Sequence, residues 1–457
     1  MIQPRTLKGF RDYLPEAMIP RERCMEIARE VFRRYGFSPI DTPALEYLDV
    51  LTGKGSEETD RQMYRFTDHG GREVGMRFDL TIPLARFAAQ HIGKLGTPFK
   101  RYHLAPVWRG ENTQAGRYRE FMQCDFDCIG TESVVADIET LLVIDDLMRS
   151  LDLERFTIHV NNRQVLSGLL EHLRLADKTT PVLRSLDKLS KIGPEKTAEE
   201  MIQAAGVTES QAAAVLRLAH CRGTTKEVLA QLPEVTGGNA VAEQGIERLR
   251  QICEGAEAAG VAPSRLRLDV SIARGLDYYT GVIFETFLDD LPKIGSVCSG
   301  GRYDNLAGMY TKQHLPGVGA SLGLDRLLAA MEQLKLLPSQ RTAAPVFIPF
   351  FDPSSLNRYL QLAAAIRKAG IGVEVYPDPR KLGAQLKYAD TRGFRVALIA
   401  GESEWQAGCC QVKDLLNKTA SEVAYTPDDP SALIETLREM LVSPASFPAL
   451  PRRGGLV

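Results

Sequence analysis

The chain has 457 residues, 44% hydrophobic and 25% charged, with a formal net charge of -2 and eight cysteines. That length allows a large core in roughly two to four domains, and the balanced charge gives no global polyanion-binding signature, although a local basic surface can still meet nucleic acid. No apolar run approaches the roughly 18 residues needed to span a bilayer, so no membrane association is expected; the start, MIQPRTLKGFRDYLP, is too polar and proline-broken for a signal peptide.

Cys124 and Cys128 form C-x3-C and Cys409 and Cys410 are adjacent, but neither has the matching second pair that a structural zinc needs. Reduced cysteines in a cytoplasmic protein are the expectation.

In chain order, Cys24, Ile27, Ala28, Val31, Phe32 and Tyr35 recur at helical spacing, with Gly36 placed to stop the helix. MYRFTDHGGREVGMRFDLT reads as strand, turn and strand. FKRYHLAPVWRG and GRYREFMQCDFDCIG read as two more strands joined by ENTQA, and ESVVADIETLLVIDDLMRSL as a helix. An antiparallel sheet with helices on one side is expected over 64–150. From about 165 to 260 the texture is rich in Ala, Leu, Glu and Lys at helical spacing, which predicts a separate helical unit.

RLRLDVSIARGLDYYTGVIFETFL returns to strand character, SVCSGGRYDNLAGMY reads as a Gly-rich turn leading into a helix, and GVGASLGLDRLLAAMEQL as strand then helix. After the linker-like LPSQRTAAP, strands and helices alternate from PVFIPF to FRVALIAG, which predicts a small α/β domain with a largely parallel sheet. The tail SPASFPALPRRGGLV is expected to be disordered.

The strand faces carry the functional signal. Over 117–128, Met122, Cys124, Phe126 and Cys128 alternate with Arg117, Arg119, Gln123, Asp125 and Asp127. Over 76–82, Arg77, Asp79 and Thr81 oppose an apolar set, and over 101–109 Arg101, His103 and Arg109 share a face. Such a face is compatible with a solvated sheet surface. Its Arg, Gln and Asp content also suits a binding floor, because the guanidinium fork grips phosphate or carboxylate while Asp and Gln suit an ammonium or imidazole. There is no G-x-x-x-x-G-K-[ST], so this is not a P-loop.

These stretches resemble the class II aminoacyl-tRNA synthetases, and within them the histidyl-tRNA synthetase family. FKRYHLAPVWRGENTQAGRYREF is similar to motif 2, GVGASLGLDRLLAAM to motif 3 with Arg326 as its arginine, and YGFSPIDTPALE to motif 1 with Pro43 as its proline. RGLDYYTG and SVCSGGRYDNL resemble the two stretches peculiar to the histidyl family, while RFDLTIPLAR and YREFMQCDFD look closer to its eukaryotic-type version than to the common bacterial one. The resemblance runs to about residue 442.

It implies an α+β catalytic domain, an antiparallel sheet flanked by helices, in two parts (1–165 and 263–336). A helical insertion (166–262), an α/β anticodon-binding domain (344–442) and a tail (443–457) complete the chain. It further implies histidine–tRNA ligation, with L-histidine, ATP and tRNA(His) as substrates, Mg2+ on the phosphates, and a homodimer through motif 1.

By motif, Arg109 and Arg274 take catalytic roles. Asp79 and Thr81 hold the α-amino group; Gln123, Asp127, Arg274, Tyr278 and Tyr279 complete the histidine pocket; and Glu111, Arg117 and Arg326 join Arg109 on ATP. Asp79 and Asp127 stand where the family often has glutamate. The competing readings are a non-catalytic, synthetase-like regulatory subunit of ATP phosphoribosyltransferase and another class II synthetase. Residues 344–442 and the intact Arg109, Glu111, Arg274 and Arg326 weigh against the first, and RGLDYYTG against the second.

Overall fold

The computed structural model describes residues 1–52, 57–114, 116–272, 279–337 and 341–441. The chain forms two compact units, one of residues 1–11 and 24–334, the other of residues 12–23 and 335–457.

The first unit is built on an eight-stranded sheet. In spatial order its strands are Ser38–Pro39, Phe99–Trp108, Glu120–Ile129, Gly317–Gly323, Cys298–Tyr303, Val282–Leu288, Phe156–Asn162 and Leu266–Leu268. The pairings are antiparallel except at the two margins, where the outermost strands run parallel to their neighbours. One face is apolar and covered by helices. Cys124, Phe126 and Cys128 are buried there, and Phe32, on the helix Pro15–Arg34, stacks on Phe126 at 5.0 Å and Tyr102 at 5.8 Å. The helix Val134–Ser150 also packs on the sheet. The alternation over the Glu120–Ile129 strand thus decides which side helices cover.

Two local expectations are corrected. Residues 77–82 do not continue a strand: the strand Glu73–Met76 stops, and the helix Thr81–Leu95 begins. Asp79 causes the change, since its Oδ1 accepts the N–H groups of Thr81 (3.0 Å) and Ile82 (2.9 Å), two of the donors a helix start leaves unpaired. The short strands Leu45–Tyr47, Arg65–Thr67 and Glu73–Met76 form a three-stranded sheet of their own, outside the main one.

The segment SVCSGGRYDNL is also no mere turn, because Cys298–Tyr303 is a central strand. Its glycines serve close approach: a Cβ on Gly300 would sit 2.1 Å from the Gly319 carbonyl oxygen.

Between the strands Phe156–Asn162 and Leu266–Leu268 lie the helices Arg163–His172, Thr179–Leu186, Leu189–Ile192, Pro194–Ala205, Glu209–Ala219, Thr225–Val235 and Ala240–Ala258. Thr208 with Gln211, and Thr224 with Glu227, make reciprocal capping boxes at two of their starts. Arg248 on the last helix bonds the buried Asp137, which also takes Arg302 from the sheet.

In the second unit the strands Val346–Ile348, Val373–Val375 and Val396–Ile399 are parallel, and Cys409–Asp414 and Thr419–Ala424 extend the sheet antiparallel. Its helices Leu356–Lys368 and Ser431–Leu441 bury Tyr359, Leu362, Ile366, Leu433 and Leu437 against Val346, Ile348, Val396 and Leu398. The expected disordered tail, 443–457, lies outside the described residues.

Candidate active site

The polar face of the large sheet is the floor of a cleft, and strand register arranges it in rungs. One rung runs Arg101, Asp127, Gly319, Gly301, Ile283; the next runs His103, Asp125, Ser321, Ser299, Glu285. Gln123 pairs with Ala105 and Gly323 in a third. The acids on the Glu120–Ile129 strand are therefore side by side on one face, with small residues across from them that leave room for a ligand.

Gly319 is needed for that room, because a Cβ there would lie 2.2 Å from Asp127 Oδ1. The floor is not a wetted surface: Gln123, Asp125 and Asp127 are all buried. The cleft encloses about 290 Å3, close to the lower end of the usual range for small-ligand sites.

Asp127 is held on both oxygens. Oδ2 lies 2.7 Å from Arg101 Nη2, and Oδ1 accepts the Tyr303 hydroxyl at 2.5 Å. Gln123 Nε2 donates to Ser321 Oγ at 2.9 Å. Asp79 and Thr81 face the same cleft from the start of the helix Thr81–Leu95, and Tyr279 lines it from the end of the described gap.

Three arginines line the same cleft. Arg109 donates through Nε to the Phe78 carbonyl at 3.0 Å, and its guanidinium lies 4.4 Å from the Phe78 ring centre and 5.1 Å from that of Phe121. Two rings and one carbonyl thus fix the plane of the fork. Arg326 enters from the first turn of the helix Leu324–Gln333 and donates to the Ser296 carbonyl at 2.6 Å. Arg117 Nη1 stands 3.6 Å from Glu111 Oε2 in the loop between the strands Phe99–Trp108 and Glu120–Ile129. Asp325 anchors that corner by accepting the Met122 N–H and pairing with Arg11, both at 2.8 Å.

Burial dominates the electrostatics of the floor. It pushes the Asp125 carboxyl up to about 7 against the opposing pull of Arg101, and raises Asp127 in the same direction. Tyr303 is raised by burial and by the adjacent Asp127, so its hydroxyl keeps its proton and donates. His103 is depressed to about 4 by burial and by the neighbouring Arg101 and Arg77, with Asp41 opposing at 2.9 Å.

With this geometry established, comparison with known proteins is direct. The family model described as histidyl-tRNA synthetase matches residues 9–327, and one described as anticodon binding domain matches residues 346–429. A histidine–tRNA ligase of Rhodopirellula baltica is 69% identical over 438 residues, covering 96% of this chain and 99% of that one.

The chain belongs to the histidyl-tRNA synthetase family.

Another histidine–tRNA ligase, from Wolinella succinogenes, is 43% identical and covers 91% of this chain and 94% of its own. Among solved structures, the histidyl-tRNA synthetase of Nostoc sp. PCC 7120 superposes with a TM-score of 0.87 at 32% identity, covering 96% of this chain and 100% of that one. An ATP phosphoribosyltransferase regulatory subunit/histidyl-tRNA synthetase from Bacillus halodurans C shares the fold, with a TM-score of 0.72 at 21% identity over 85% of this chain and 97% of that one.

Of the residues assigned by family resemblance, Asp79, Thr81, Arg109, Glu111, Arg117, Gln123, Asp127, Tyr279 and Arg326 all line this one cleft. Arg274 and Tyr278 lie outside the described residues. Tyr303, Ser321, Asp125 and Glu285 line it too and were not singled out as site residues. Asp125 was visible on the polar face, and Tyr303 stood within SGGRYDNL. Their place at the floor depends on cross-strand register, which a single strand's pattern does not contain.

Proposed function

We propose that the cleft binds histidine at its acidic floor and ATP at its cationic end, and so carries out the first half of histidine–tRNA ligation. The family's reaction joins L-histidine to ATP, giving histidyl-adenylate and pyrophosphate, and then moves the histidyl group to the 3′-terminal ribose of tRNA(His).

In this reading Asp79 and Thr81 receive the substrate ammonium, and Gln123, Asp127, Tyr278 and Tyr279 surround the imidazole. Arg109 and Arg274 bracket the carboxylate and α-phosphate, while Glu111, Arg117 and Arg326 hold the rest of ATP. The observation that carries the assignment is the charge content of one cleft, which Asp79, Asp125 and Asp127 line together with Arg109, Arg117 and Arg326. A zwitterion with a cationic amine and an anionic carboxylate next to a polyphosphate matches that set.

The attacking carboxylate is already ionised near neutral pH, so no strong general base is required. The protein's work is positioning and charge stabilisation in the transition state. Arginines suit this because they stay charged throughout and grip oxyanions with two parallel bonds.

Mg2+ would arrive on the ATP phosphates. The carboxylates of Glu285 and Glu111 at the cleft are the hard oxygen donors such an ion takes one or two of, and the bound ion would neutralise phosphate charge.

The helical insertion, 166–262, is placed against the acceptor end of tRNA, and residues 344–442 read its anticodon. The working form is a homodimer in the cytoplasm. The eight cysteines are buried thiols, which suits a reducing compartment.

The decisive experiment is ATP–pyrophosphate exchange with each of the twenty amino acids in turn. Exchange with histidine alone is expected. Exchange with a different amino acid, or silence with all, refutes the assignment of this cleft.

A further inference from the structure

The strand Phe99–Trp108 carries a guanidinium that the family motifs leave without a task. Arg101 is wholly buried and sits directly across the strand pair from Asp127. It does not line the cleft. Its Nη2 is 2.7 Å from Asp127 Oδ2 and 4.0 Å from Asp125 Oδ2, and it donates to the Leu80 carbonyl at 3.3 Å. Among the described residues, its Nε and Nη1 have no hydrogen-bond partner.

Stability is a poor explanation for such a group. A buried charge with orphaned donors costs folding free energy, and replacing buried ion pairs by apolar residues is often neutral or stabilising. The contacts of Nη2 point elsewhere. Asp127 is the floor carboxylate assigned to the imidazole end of histidine. Leu80 lies between Asp79 and Thr81, the pair assigned to the ammonium end. One charged nitrogen therefore touches both the carboxylate that reads the side chain and the turn that reads the amino group. The Tyr303 hydroxyl fixes the other Asp127 oxygen, so Arg101 supplies the second constraint that sets the carboxylate's rotation.

We propose that Arg101 is a positioning residue for histidine recognition, holding the Asp127 carboxylate and the 79–81 turn in one fixed relation from beside the pocket. The inference rests on the reading above, in which Asp127 and Asp79 face histidine. Arg101 itself touches no substrate. Without it the Asp127 carboxylate loses its fixed rotation and the turn loses an anchor, while the arginines assigned to ATP keep their own supports.

The test uses full-length Arg101→Met, Arg101→Lys, Asp127→Asn and the double variant Arg101→Met/Asp127→Asn. Histidine and ATP KM are measured separately by pyrophosphate exchange. Arg101→Met is expected to raise the histidine KM about tenfold or more, from loss of the ion pair with Asp127 and of the charged donor to the Leu80 carbonyl, and to move the ATP KM by less than about twofold. Lysine, whose single charged nitrogen can reach the same two acceptors, recovers most of the loss. Arg101→Met costs less in the Asp127→Asn background than in the parent, because part of the guanidinium's effect passes through that carboxylate and only the anchor on the 79–81 turn is left to lose.

Equal rises in both KM values overturn the proposal. So does an unchanged histidine KM with a lowered melting temperature, or a lysine variant no better than methionine. If the methionine variant does not fold, Arg101→Gln replaces it, removing the charge while leaving a polar end in the buried site, and the same expectations apply. An Asp127→Asn enzyme with normal histidine KM overturns the pocket reading itself. An impaired Asp127→Asn beside an unimpaired Arg101→Met overturns only the role given to Arg101.

Discussion

Gly319→Ala tests the cleft at its tightest point. The added Cβ would lie 2.2 Å from Asp127 Oδ1 and 2.4 Å from the Phe126 carbonyl oxygen, where ordinary contact begins at 3.4 Å. The strand pair is hydrogen-bonded on both sides, so the backbone oxygen has little freedom to retreat. The carboxylate must move by roughly 1 Å, which disturbs its bond from the Tyr303 hydroxyl, and overpacking of this kind costs about 1–3 kcal/mol of stability. A displacement of about 1 Å in a positioned group lowers turnover on the order of a hundredfold.

The expected result is a fall of about that size in kcat/KM for histidine in pyrophosphate exchange, with ATP KM changed far less. Gly308→Ala is the control, since a Cβ there meets nothing within 4 Å. If Gly319→Ala activates histidine within about threefold of the parent, Asp127 is not held where the reaction needs it, and the account of the floor fails.

Three other outcomes are expected. Arg109→Lys keeps the charge but loses the fork that Phe78 and Phe121 orient, so histidine activation should slow by about tenfold to a hundredfold; an unimpaired lysine variant would remove Arg109 from the α-phosphate. His103 has a folded-state pKa of about 4 against an ordinary 6.5, so its contribution to stability is present above pH 6.5 and is lost as pH falls toward 4, by about 3 kcal/mol in all. Urea titrations at pH 7 and at pH 4 should therefore show a smaller difference in His103→Gln than in the parent, and equal differences would refute the assignment. Deleting residues 344–457 should leave histidine-dependent exchange within about threefold while tRNA charging falls by at least about tenfold, because a contact remote from the chemistry is lost; charging at the full rate would show that this domain does not read the anticodon.

The sequence alone was enough for the elements whose period is local. The helix ending near Gly36, the strands 99–108 and 120–129 and the βαβαβ order after residue 344 all follow from alternation at 2 or 3.6 residues, and the structure has them. The site residues from Asp79 to Arg326 were legible as a set through the stretches that resemble the histidyl-tRNA synthetase motifs, and nine of them share one cleft.

Where the local pattern was ambiguous it misled. Residues 76–82 alternate like a strand, yet the Asp79 carboxylate caps a helix there. The glycines of SVCSGGRYDNL look like a turn, yet they let a central strand approach its neighbour.

Only the tertiary structure set Arg101 against Asp127 on one side, Gly319 against it on the other, and Tyr303 on the second oxygen of that carboxylate. Those relations join strands separated by up to about two hundred positions of chain. They exist through register, and register is settled when hydrogen bonding and burial choose one pairing among many that a single strand's pattern would allow.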